Sequence, residues 1–337
     1  MKLTVLGAGS WGLTLTWLLT DNFDEITLWS RAEDLSEELV NTKSTKKPVE
    51  VKLDKKIEIT SDLKSAIKGA EIILVVVATS GIRPVSEQLR KAGIAKNQIV
   101  VNTSKGLELP SLLRMSEVMS QELPDNKIVV LSGPTLAKEV LMGLPTAATV
   151  ACNDMDTADF VQENLTVPGK FRLYTNNDVK GVEFGGSLKN VIAIASGFAD
   201  AMKLGDNSRG AILARGLAEI VRISVALGAN PSTLYGLSGI GDLIATCSSP
   251  FSRNYQVGFR LGQGKKLEDI LSELGSVAEG VKTTKAVCEL AKKLNIEAPV
   301  SNIIYEAVYT DISPDEVVNK LMNRQLKRED SYQFTSK

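Results

Sequence analysis

The feature that most restricts what this chain can fold into stands at its start. Lys2-Leu-Thr-Val-Leu-Gly7 is a short apolar run that reads as a strand. It passes directly into Gly7-Ala8-Gly9-Ser10-Trp11-Gly12, and Leu13 to Leu19 continue as a helix. Glycines at these positions of a strand-to-helix turn do three separate jobs. Gly7 permits the tight turn, Gly9 lets backbone approach a pyrophosphate, and Gly12 lets the helix lie close to its strand. The free N–H groups and positive end of the helix then suit a phosphate. A plain glycine-rich turn would account for some of these residues. The strand before and the helix after select a dinucleotide-binding turn.

A second strand, Glu25–Trp29, ends at Ser30-Arg31, roughly 20 residues past the glycines, where an NAD-specific protein often carries an acidic residue for the ribose 2′-hydroxyl. Arg31 can instead pair with a 2′-phosphate, which favours NADP(H). Glu33 and Asp34 stand close by and keep NAD(H) in play. Further strands read at Ile57–Thr60, Glu71–Thr79, Gln98–Asn102 and Lys127–Ser132, with helical stretches at Asp62–Lys68, Pro84–Lys91 and Ser111–Glu122 between them. This alternation predicts an α/β fold, an N-terminal Rossmann domain with a doubly wound parallel sheet over residues 1–178. Thr146–Cys152 and Phe171–Tyr174 read as strands that extend it. From Val179 onward helix follows helix, at Ser208–Leu227, Ser276–Leu294, Ser301–Thr310 and Pro314–Leu321. That pattern predicts an all-α substrate domain over 179–337.

A length of 337 residues suits two domains. A net charge of -1 and a pI near 5.9 argue against nucleic acid or an anionic membrane surface as the main partner. The longest purely apolar run, Ile72–Ala78, is far short of a membrane span. A strand opening at the second residue leaves no room for a signal peptide. The three cysteines, Cys152, Cys247 and Cys288, are widely spaced and form no Cys-x-x-Cys pair, as expected of reduced thiols in a cytoplasmic protein. No ligand cluster for a metal is visible. Six lysines between Lys43 and Lys56 read as a solvated loop.

The chain contains no histidine, so acid–base chemistry falls to lysine, carboxylate, cysteine or tyrosine. Lys189 draws attention because it sits in Gly185-Gly-Ser-Leu-Lys-Asn190, leading into the apolar stretch Val191–Ala195 of a buried helix. A lysine facing an interior is costly unless it is paired or functional; the alternative is a stem lying on apolar surface with its ammonium in water. Downstream, Gly236-Leu-Ser-Gly-Ile-Gly-Asp242 places Asp242 as a helix N-cap, with Thr246 on the same face. Ser252 can cap a helix over Arg253–Leu261, leaving Arg253 and Asn254 at its amino end, a natural phosphate site. In the first half, Lys105 and the turn Gly133–Ala137 follow predicted strands, where ligands of such sheets bind.

Taken together, GAGSWG, SGPTLAKEV, SLKNVIAIA, ARGLAEI, GDLIATC and SRNYQVG closely resemble, in order and spacing, the bacterial-type NAD(P)-dependent glycerol-3-phosphate dehydrogenases. The resemblance spans nearly the whole chain. It implies reversible NAD(P)H-dependent reduction of dihydroxyacetone phosphate to sn-glycerol 3-phosphate, which supplies phospholipid synthesis. It also implies that Lys189 is the catalytic acid/base. Lys105, Gly133, Thr135, Asp242, Ser252, Arg253 and Asn254 would contact substrate. Ser10, Trp11, Arg31, Lys105, Ala137, Arg253, Val277 and Glu279 would contact cofactor, beside Gly7, Gly9 and Gly12. Thr135 stands where the family often has serine, and Asp200-Ala201 where it often has Asp-Gly. The lysine-rich loop keeps only Pro48 of the family's proline-containing pattern.

The chemistry agrees with the residues. A ketone that accepts hydride becomes an alkoxide, which needs a positive charge and then a proton, and Lys189 supplies both. A related β-hydroxyacid or ketol-acid dehydrogenase would share the domain pairing, but the SRNYQ helix end favours a phosphorylated substrate. A sensor that only binds cofactor would have no need of Lys105, Lys189 and Asp242 together. A short-chain dehydrogenase would need a Tyr-x-x-x-Lys pair, which is lacking. A homodimer joined through the helical half is compatible with its many apolar helices.

Overall fold

Ten strands form among the described residues: β1 (Lys2–Leu6), β2 (Glu25–Trp29), β3 (Ser44–Thr45), β4 (Val51–Lys52), β5 (Glu58–Thr60), β6 (Ile72–Val75), β7 (Ile99–Asn102), β8 (Ile128–Ser132), β9 (Thr146–Ala151) and β10 (Phe171–Asn176). The computed structural model describes residues 1–35, 37–274, 278–326 and 328. The chain forms two units, Met1–Glu108 with Leu113–Val179, and Leu109–Leu112 with Lys180–Lys337.

In the first unit eight strands make one sheet in the order β10-β9-β8-β7-β6-β1-β2-β5, while β3 and β4 form a separate hairpin within the lysine-rich loop. Alternation along each strand divides its side chains between two cores. Leu3 and Val5 of β1, with Ile72 and Leu74 of β6, join one cluster with Leu13 and Leu15 of the Ser10–Leu18 helix. Leu6, Ile73 and Val75 join the other, with Ile82, Val85 and Leu89 of the Ile82–Ala92 helix. A period of two with both faces apolar is what helices on both sides of a parallel sheet require. Each fully buried Leu or Ile contributes roughly 1.5–3 kcal/mol.

Two expectations for this unit are corrected. The sheet is not parallel throughout, because β9 pairs antiparallel with β8, and β10 runs parallel to β9. The connection between β8 and β9 carries only the helix Ala137–Leu141, too short to carry the chain back along the sheet for a parallel crossover. The run read as a strand over Glu71–Thr79 ends at Val75. Val76 and Val77 lie beyond it as part of the wall behind Gly7.

The second unit is helical, with no strand among its described residues. Its centre is the Val179–Ala201 helix, buried continuously from Gly181 to Ala199, as a helix apolar on every side must be. Glycines let neighbours reach its backbone. A side-chain carbon on Gly258 would come within 1.8 Å of the Ile194 carbonyl oxygen, and one on Gly197 within 2.0 Å of that of Tyr255. The Arg253–Gly262 helix therefore rests on the central helix backbone to backbone. A second tie uses Glu219 of the Gly205–Ala226 helix. Its buried carboxylate accepts from the amides of Val300 at 2.6 Å and Ser301 at 3.0 Å, at the start of the Pro299–Tyr309 helix. Burial pushes that carboxyl above its ordinary range despite these donors. No described helix is long and apolar enough to cross a membrane.

Candidate active site

The glycine turn closes as its spacing demands. The Gly7 amide donates to the Trp29 carbonyl at 2.7 Å, fixing the turn beside the end of β2. Gly7 has φ +119, and a side-chain carbon there would lie 2.4 Å from the Val76 carbonyl oxygen; one on Gly12 would lie 1.9 Å from that of Gly7. Gly9 differs. Its φ of -72 is open to any residue, and a carbon added to it would meet nothing within 4 Å. Protein packing thus accounts for the first and third glycines but gives no reason for the second. Backbone left bare towards solvent, at the head of a helix with no side-chain cap and no acidic residue in its first turn, fits a pyrophosphate. Ser10 and Trp11 open that helix, and the indole of Trp11 meets the ring of Phe171 edge-on at 6.3 Å between centroids.

Arg31 follows β2 with its side chain 61% exposed. Its Nε donates to Asp34 Oδ2 at 2.7 Å and its Nη2 to Asp34 Oδ1 at 3.2 Å, while Nη1 lies 3.3 Å from Glu33 Oε1. The arginine expected to select a 2′-phosphate is already engaged by both acidic neighbours.

At the ends of β7 and β8 three expected residues come together. Lys105 Nζ donates to the Gly133 carbonyl at 2.7 Å and to Thr135 Oγ1 at 3.3 Å, and Thr135 Oγ1 donates to the same carbonyl at 3.1 Å. Gly133 has φ +150, and a side-chain carbon would press to 2.9 Å from Ala148 Cα. Ala137 begins the next helix, half-buried.

In the second unit Lys189 is buried at 5% exposure and Asp242 at 2%. Lys189 Nζ donates to Asp242 Oδ1 at 2.8 Å and also to Thr246 Oγ1, which in turn donates to Asp242 Oδ1 at 3.2 Å. The expected N-cap role for Asp242 is corrected. The chain enters through a π-turn over Leu237–Gly241, with the Gly241 amide bonded to the Gly236 carbonyl; Gly241 holds the N-cap position and Asp242 is the first helical residue. The wider turn directs its carboxylate at the lysine; such turns recur at functional sites. Thr246, on the same helix face as Asp242, joins the pair through its hydroxyl. Its spacing of four along one helix was the available signal. Beside them, burial pushes the Cys247 thiol up to about 12, which rules it out as a thiolate nucleophile near neutral pH.

Ser252 does cap the next helix, its Oγ accepting from the Tyr255 amide at 3.2 Å. Arg253 stands exposed at that amino end. Among the described residues no carboxylate or other acceptor is placed against its guanidinium. Asn254 is largely buried and its Oδ1 accepts from the Gly280 amide at 2.9 Å. It therefore ties the Arg253–Gly262 helix to the start of the Glu279–Leu294 helix, where Glu279 stands half-buried. Val277 lies outside the described residues.

Residues 2–158 match the family described as NAD-dependent glycerol-3-phosphate dehydrogenase N-terminus, and residues 178–319 its C-terminus. A glycerol-3-phosphate dehydrogenase [NAD(P)+] of Thermoanaerobacter sp. (strain X514) is 45% identical over 329 residues, covering 98% of this chain and 99% of that protein. The protein of that name from Bacillus subtilis (strain 168) is also 45% identical over 329 residues, covering 96% and 94%. Among solved structures, glycerol-3-phosphate dehydrogenase from Coxiella burnetii superposes with a TM-score of 0.90 at 34% identity, covering 96% of this chain and 99% of that one. The Plasmodium falciparum enzyme, at 24% identity, TM-score 0.86 and 97% coverage of both chains, shares the fold.

Proposed function

The chain belongs to the NAD-dependent glycerol-3-phosphate dehydrogenase family, and from that premise we propose how its residues reduce dihydroxyacetone phosphate reversibly to sn-glycerol 3-phosphate, a precursor of phospholipids. The Gly7–Gly12 turn, with Ser10, Trp11, Ala137 and Glu279, would hold NAD(P)H, whose chemistry when bound is hydride donation. Lys189 faces the ketone oxygen, stabilises the alkoxide as charge develops and transfers a proton to it. Asp242 and Thr246 hold the ammonium in one position, so little reorganisation is needed when the reaction occurs.

Arg253, with no acceptor placed against its guanidinium among the described residues, takes the substrate phosphate together with the capped helix end and Ser252. Asn254 keeps that helix against the Glu279–Leu294 helix through its Oδ1, and its amide nitrogen remains for substrate. Lys105 would turn from Gly133 and Thr135 to substrate oxygens. Binding through the phosphate, remote from the reacting carbon, is what lets interaction energy serve orientation. NADP(H) is favoured over NAD(H) through Arg31. The same reading places the enzyme in the cytoplasm, where its three free cysteines stay reduced, and allows it to pair as a homodimer.

The observation that carries the reading is the buried Lys189–Asp242–Thr246 triangle in a chain without histidine. Dihydroxyacetone phosphate-dependent oxidation of NADPH, and separately of NADH, tests it. Tight cofactor binding without oxidation of either would overturn it.

A further inference from the structure

Arg31 and its two acidic neighbours form an arrangement that the reaction itself does not require. β2 lies beside β1 with Trp29 opposite Leu6, and the Gly7 amide bonds to the Trp29 carbonyl. Residue 31 therefore emerges next to the glycine turn. The short turn Ala32–Asp34 is closed by the Asp34 amide on the Arg31 carbonyl at 3.0 Å, which folds Asp34 back onto its own arginine. Asp34 accepts from Nε and Nη2 together, and Glu33 lies at Nη1. The Nε–Nη2 edge is one of those by which a guanidinium grips a phosphate bidentately. A 2′-phosphate must displace the Asp34 carboxylate from that edge and tolerate two nearby negative charges. A 2′-hydroxyl need do neither.

We infer that Asp34, seconded by Glu33, is a specificity-determining residue that restrains Arg31 and so narrows the preference for NADP(H), keeping NAD(H) usable. The inference rests on the cofactor placement proposed above. The pair is exposed, which makes it weak and salt-sensitive. Its two-bond geometry places it at the upper end for such pairs, about three- to fivefold in affinity.

The test is the dissociation constant of NADPH and of NADH, measured without substrate by energy transfer from the tryptophans to the nicotinamide. Proteins compared are wild type, Asp34→Asn, Glu33→Gln/Asp34→Asn, Arg31→Ala and Arg31→Ala/Asp34→Asn. The expected result is NADPH binding about three- to fivefold tighter in Asp34→Asn, more so in the double acidic variant, with NADH changed less than twofold. Arg31→Ala should weaken NADPH, and adding Asp34→Asn to it should recover almost nothing, since the acid acts through the arginine. Unchanged NADPH affinity in Asp34→Asn, with Arg31→Ala still weakening it, would overturn the inference and leave the arginine's role standing. Weaker NADH binding in Asp34→Asn would assign the carboxylate to the ribose hydroxyl and overturn it too. If Arg31→Ala changed neither affinity, the placement of cofactor at Arg31 would fall, and the inference with it.

Discussion

Replacing Lys189 by Met keeps an unbranched stem in the same space and removes the ammonium, so packing and charge separate cleanly. At 2.8 Å from Asp242, and with an effective dielectric constant of about 20, the attraction lost is about 6 kcal/mol. Desolvation of both groups opposes that attraction, and it is regained in part only when both charges go. The single variant leaves the Asp242 carboxylate at 2% exposure, accepting from the Thr246 hydroxyl but without its cation, which should cost about 3–5 kcal/mol of stability in the second unit. Adding Asp242→Asn removes the stranded charge, so Lys189→Met/Asp242→Asn should be more stable than Lys189→Met alone. All three tryptophans, Trp11, Trp17 and Trp29, belong to the first unit. Urea unfolding of the second unit is therefore followed by far-UV circular dichroism. Both variants should lose turnover by about a factor of 100 or more, as expected when a general acid is removed, while NADPH still binds. Two results would refute the reasoning: a single-variant cost below about 1 kcal/mol, which would mean the pair is wet, or turnover near that of wild type.

Other consequences are as direct. Arg253→Ala should raise KM for dihydroxyacetone phosphate about 10- to 150-fold, the range for a hydrogen bond to a charged group; an unchanged KM would remove the phosphate assignment. Gly258→Ala forces a carbon to within 1.8 Å of the Ile194 carbonyl, so it should destabilise the second unit by at least about 1–3 kcal/mol, read from the urea midpoint. Burial raises the Glu219 carboxyl in the folded chain from the ordinary 4.5, so its stabilising contribution is complete below that value and is lost as pH rises through the raised one. The stability advantage of wild type over Glu219→Gln should therefore shrink from about pH 4.5 upward. Urea midpoints across a pH series check this, and an advantage that grows with pH would contradict it.

Much of the fold was legible because it depends on local pattern. β1, the glycine turn and its helix follow from spacing alone, and Ser252 caps its helix as a serine before a helical run does. What escaped was non-local. The strand within Glu71–Thr79 is shorter than its apolar run, because valines look alike whether they pair with a neighbouring strand or wall a turn. The reversed β9 depended on how far a short connection reaches. Asp242 read as a cap because a carboxylate after glycines is indistinguishable in sequence from one aimed at a lysine. The tie that Asn254 makes between two helices through Gly280 is likewise absent from any local pattern.

The sequence by itself determined that a dinucleotide turn opens the chain, that helices follow the sheet, and that no histidine is available for acid–base work. These are matters of composition and period, and each is set within a few residues. Tertiary structure alone decided which partners the charged groups have. Lys189 meets an acid 53 residues away, whereas Arg253 meets no acceptor among the described residues. The physical reason is that an ionic interaction depends on distance and surrounding dielectric, and both exist only once the chain is packed.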